Sequence, residues 1–148
     1  MTKIPPMPEE LRFDHEAHVR LWNWLAENPE RDKYDWPWWQ KYGDVNSQCF
    51  ACEAVAKIQN WAEAHDVFIE KQSCDLCPLT WGEYPHCQTQ RGEGIFDRWR
   101  QVAYLPRSRA SFARQIRDLP VNDNIERAWQ EIQEALRRDT LDAEGGDA

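Results

Sequence analysis

Two CxxC pairs constrain this chain more than any other feature: "CFAC" at Cys49 and Cys52, and "CDLC" at Cys74 and Cys77, with 21 residues between them. A CxxC turn offers two thiolates to adjacent tetrahedral positions, and a second pair after a spacer of this length completes four sulfur ligands. The spacing predicts one structural zinc on Cys49, Cys52, Cys74 and Cys77. A fifth cysteine, Cys87, follows Cys77 after nine residues, with His86 beside it. Either can replace one of the four. The same sulfurs could hold an iron–sulfur cluster, or pack without metal as small apolar side chains.

The opening residues "MTKIPPMPEELRFDHEAHV" contain no apolar run of signal-peptide length,. Disulfides belong to oxidising compartments, so metal binding in the cytosol is the expectation. No segment approaches the roughly 18 consecutive apolar residues of a membrane span, and no membrane association is expected.

Four sulfur ligands close a zinc site, whereas catalytic zinc keeps a position open. The catalytic motifs fail too. Zinc deaminases need His-x-Glu before Pro-Cys-x-x-Cys, but here Pro78 follows Cys77. "HEAH" spaces His15 and His18 three apart, one short of the metalloprotease helix,. Both histidines read as rim residues of the first helix. A thiol enzyme would require Cys87 as nucleophile with His86 or another histidine as its base.

The periodicity is helical almost throughout. Asp14 caps a first helix ending at Asn28, and a short one from Asp35 to Gly43 carries Trp36, Trp38 and Trp39,. A third begins at the first cysteine pair and presents Val55, Ile58, Trp61 and Ala62 on one face. "VFIEK" reads as a short extended segment, and "CPLTWGEYPHC" as irregular loop,. Helices then follow in "IFDRWRQVAYL", broken by Pro106, and in "SRASFARQIRDL", closed by Pro120. The last starts at Asn122 with Ile125, Trp129, Ile132 and Leu136 as its apolar stripe,. The fold expectation is a mainly α, small helical single domain over 14–138, braced by zinc, with little or no sheet. Residues 1–13 read as an extension and 139–148 as a disordered acidic tail,.

The net charge of −8 conceals one basic segment, since residues 91–117 hold seven arginines against two acids. Bulk electrostatics disfavours nucleic acid. Arg98, Arg107, Arg109 and Arg114 could still grip phosphate or carboxylate, or pair with the acidic remainder of the chain. Trp36, Trp38 and Trp39 serve either as core anchors or as an exposed patch for a partner, where tryptophan and arginine dominate binding energy.

The order "CFACEA", "CDLCPLTWG", the lone Cys87, then "GIFDRWR" and "IRDLP" resembles small, mostly uncharacterised proteins encoded by bacteriophages and prophages, over about residues 15–120. That resemblance implies a zinc-bound cysteine cluster and an accessory role in a bacterial host cell, and it carries no activity with it. The leading function is host modulation by binding a protein through Trp36, Trp38, Trp39, Arg98, Arg107, Arg109 and Arg114. Nucleic-acid binding through 91–117 is the alternative, followed by a metal or thiol enzyme centred on the cysteine loop.

Overall fold

A computed structural model describes residues 4–82, 86–88 and 91–145. Among them the chain is mainly helical, with six α-helices: α1 (His15–Glu27), α2 (Trp39–Tyr42), α3 (Phe50–Ala64), α4 (Ile95–Gln101), α5 (Pro106–Arg117) and α6 (Asn124–Gly145). Short 3-10 turns at Glu9–Leu11, Lys33–Asp35, Asn46–Gln48 and Ser73–Leu76 link them. No strand forms among the described residues, where sheet-type pairing is confined to an isolated antiparallel bridge between Leu79 and Val121. Among the described residues no helix is long and apolar enough to cross a membrane.

Local chemistry accounts for most helix ends. The Asp14 carboxylate accepts the Ala17 N–H at 3.0 Å and starts α1,. Gly43, with φ of 73°, ends α2 in the left-handed region,. Pro106 stands at the first position of α5, where its missing N–H costs nothing,. It therefore opens the fifth helix as well as ending the stretch before it.

Two apolar clusters hold these helices. In the first, Leu21, Trp22 and Leu25 of α1 meet Trp99 of α4 and Ala113 and Ile116 of α5, with Trp36, Phe50 and Trp81 closing it. In the second, Val55, Ile58 and Ala62 of α3 face Ile125, Trp129 and Ile132 of α6. Helix α3 serves both, through Phe50 and Ala51 at its start and its later turns beyond. The expected stripes of α3 and α6 are therefore the buried ones, except that Trp61 and Leu136 are only partly covered.

Several local expectations change, among them the short tryptophan helix, which begins only at Trp39 and leaves Trp36 and Trp38 ahead of it. Of the expected N-terminal extension, residues 4–13 are packed against the domain: Leu11 is buried in the second cluster, and the indole of Trp129 donates to the Pro5 carbonyl at 2.7 Å. Helix α6 runs to Gly145 instead of stopping at 138, because nothing in "DTLDAE" breaks a helix before the glycine pair,; residues 146–148 lie outside the described ones. "VFIEK" forms no strand, for it has no partner edge among the described residues. His18 is buried, not at a rim, and its Nε2–H donates to the Ile116 carbonyl at 2.9 Å across the α1–α5 interface.

Candidate metal centre

The first cysteine pair is placed by a helix cap. Cys49 is extended, and its Sγ accepts the Cys52 N–H at 3.4 Å, so sulfur takes the role that Ser or Asp fills at most helix starts,. The chain enters this cap through two left-handed residues, Ser47 (φ 56°) and Gln48 (φ 51°), each costing about 1 kcal/mol or more,. Two contacts hold the turn: the Glu53 carboxylate accepts the Asn46 N–H, and the Lys33 ammonium donates to the Ser47 carbonyl at 3.0 Å.

In the second pair, Cys77 is pinned by the residues at the start of α6. The side-chain amides of Asn122 and Asn124 donate to the Cys77 carbonyl at 3.1 and 2.9 Å. Asn122 N–H donates to Pro78 O at 2.8 Å, and Thr80 N–H to Pro120 O at 2.9 Å. The start of α6 thus fixes residues 77–81. Within that segment the buried Trp81 donates its indole N–H to Cys77 Sγ at 3.3 Å.

The third segment of the site is the loop at Cys87, seated on the residue before α4. A β-carbon at Gly94 would lie 2.3 Å from the Cys87 carbonyl oxygen and 2.7 Å from its carbon. Only glycine allows this approach.

All five cysteines and His86 line one cavity of about 210 Å³. Four of the cysteines are part-buried and Cys74 is exposed, and none is in a disulfide. Among the described residues, no group of three or more His, Cys, Asp or Glu side chains stands in metal-holding geometry. The sulfurs converge on a common space without closing on one point. Their donor chemistry fits a thiolate-preferring ion such as zinc.

Electrostatics within the cavity is strained by its own sulfurs. A hydrogen bond from the Cys52 thiol holds Cys49 down to about 6, and the same bond pushes Cys52 up. Burial raises Cys77 and pushes Cys87 up to about 12, with neighbouring sulfurs adding to both. Burial also lowers the Lys33 ammonium, against the opposing field of Cys49, Cys52, Asp32 and Cys87. A bound cation would relieve the crowding of thiolates, since metal binding favours the deprotonated ligands.

The predicted binding residues separate. Trp38 is 43% exposed, with the cations of Arg20 and Lys41 5.2 and 5.1 Å from its ring centroid. Trp39 is half-buried, and its indole donates to Lys33 O at 2.6 Å. Trp36 is a core residue, 3% exposed, and leaves the partner surface. Arg98, Arg107 and Arg114 are exposed. Arg109 is not: it is 5% exposed, donates Nη1 to the carbonyls of Pro29 and Arg31 at 3.1 and 3.0 Å, and lies 4.1 Å from the Trp99 centroid. It braces the loop after α1, because backbone carbonyls and an aromatic face satisfy a buried guanidinium better than solvent-facing neighbours could. The sequence marks Asn122 only as a helix start, and gives no sign that it, Lys33, Asn124 and Gly94 support the cysteine segments.

Comparison with family models, with curated proteins and with solved structures found no match.

Proposed function

We propose that this chain is a phage-type accessory protein, with one structural zinc tying its helices and a surface that binds another protein. The observation that supports it is the meeting of cysteines from three separate segments on one cavity. A bound ion would join the start of α3, the Cys77 segment held by the start of α6, and the approach to α4. The partner surface in this reading comprises the exposed ring of Trp38 and the exposed Arg98, Arg107 and Arg114.

The deciding experiment is metal content per purified chain, with circular dichroism before and after chelation. One zinc per chain and collapse on chelation are expected. Iron, or zinc that leaves without unfolding, would overturn the brace and favour redox or thiol chemistry at the cysteine loop.

Nucleic-acid binding is the second reading, favoured by the exposure of Arg98, Arg100, Arg107 and Arg114 alongside Tyr104, itself 95% exposed. It is weakened by the burial of Arg109 and by the ion pair of Arg117 with Asp118. A steep fall of affinity with salt, lost together with Arg107 and Arg114, would support it.

A further inference from the structure

We infer that the ligands of this centre are Cys49, Cys52, Cys77 and Cys87, and that Cys74, a member of the second CxxC pair, remains a free and reactive thiol. This rests on the metal-braced reading above, and it departs from the ligand set that the spacing alone predicts.

Three observations separate Cys87 from Cys74. The first is packing: Cys49, Cys77 and Cys87 all pack against the cluster containing Trp36, Trp81 and Trp99. Cys74 is the exposed member of the five. A closed four-sulfur site excludes water from its ion, so the part-buried sulfurs are the ones suited to it.

The second is backbone support. Cys87 is held by its contact with Gly94, where even one added carbon would collide with its carbonyl. Gly94 in turn donates its N–H to the Asp97 carboxylate at 3.2 Å, which fixes the start of α4. Cys77 is held by two asparagine amides on its carbonyl and one indole N–H on its sulfur. Cys52 and Cys49 are joined through the helix cap. N–H donors on ligand sulfurs and rigid backbones behind them are the outer-shell features that orient metal ligands.

The third concerns the turn that carries Cys74. Ser73 there is linked to Gln59 at 3.0 Å, and Asp75 pairs with His86 Nε2 at 3.2 Å. Those contacts sit at the mouth of the cavity and engage the imidazole that would otherwise compete for a ligand position. Cys74 lines the cavity with the other four but is the exposed residue of the five.

The test uses the full chain loaded with one equivalent of Zn²⁺ and an excess of N-ethylmaleimide, followed by peptide mapping. Labelling of Cys74 alone, with zinc retained, is expected. Titration against a chromophoric chelator should then give Cys74→Ser an affinity within about threefold of the parent, while Cys87→Ser falls by on the order of a hundredfold. Protection of Cys74 with labelling of Cys87 would overturn the assignment and leave the metal brace standing. A chain that takes up no zinc would overturn both. The labelling uses the unsubstituted protein, so a variant that fails to fold cannot obscure the result.

Discussion

The indole N–H of Trp81 points at Cys77 Sγ across 3.3 Å, while its ring is buried in the cluster that also holds Trp36 and Phe50. One side chain therefore ties the sulfur cavity to the first apolar cluster. Replacing it with phenylalanine keeps an aromatic ring and removes the donor. Trp81→Phe should destabilise by about 1 kcal/mol and weaken zinc binding, whereas Trp81→Ala should cost about 3–5 kcal/mol. Urea unfolding of both variants, with and without zinc, measures the two contributions separately.

Gly94 is a position where volume alone decides. Its backbone has an ordinary φ of −64°, so alanine would be tolerated there on conformational grounds. The added carbon would nevertheless meet the Cys87 carbonyl at 2.3 Å, and backbone cannot yield as a flexible side chain does. Gly94→Ala should lower stability by roughly 1–3 kcal/mol and reduce zinc affinity at least tenfold. Unchanged affinity would mean that Cys87 is not a ligand.

Arg109 and its neighbours on α5 should behave differently. Arg109→Ala removes donors from the carbonyls of Pro29 and Arg31 and a cation from the face of Trp99, for a loss of about 2–4 kcal/mol,. Arg107→Ala and Arg114→Ala, on the exposed side, should stay within about 0.5 kcal/mol of the parent,. Thermal unfolding of the three variants distinguishes a structural arginine from surface ones. It also shows which of them can be used in a partner-binding screen without unfolding the chain.

Acid should act through His18. Burial lowers its pKa from the ordinary 6.5 to about 4, so the unfolded chain takes up this proton more readily than the folded one. The stabilisation is complete above pH 6.5 and is lost as pH falls toward 4, by on the order of 3 kcal/mol,. His18→Gln cannot titrate, and between pH 7 and pH 4 it should lose less stability than the parent. Equal losses in guanidinium titrations at the two pH values would contradict this assignment.

The helices were legible in the sequence because their signals are local. Asp14 three residues before Ala17, Gly43 after a short aromatic run, and Ile125, Trp129 and Ile132 at helical spacing need only the chain's own neighbours to act,. The nearness of the two cysteines within each CxxC turn is local in the same way, but the meeting of both pairs with Cys87 on one cavity is tertiary. What the sequence could not determine is the order of access to the cavity. Cys87 is seated on Gly94 and Cys77 is held by Asn122 and Asn124, contacts that span from 7 to 47 residues and follow no period, while Cys74 stays exposed. The same holds for the burial of His18 against Ile116, 98 residues away, and of Arg109 against Pro29, 80 residues away. Local pattern sets which face of a helix is apolar; only the packing of one helix on another decides which polar group on that face finds a partner and is buried with it.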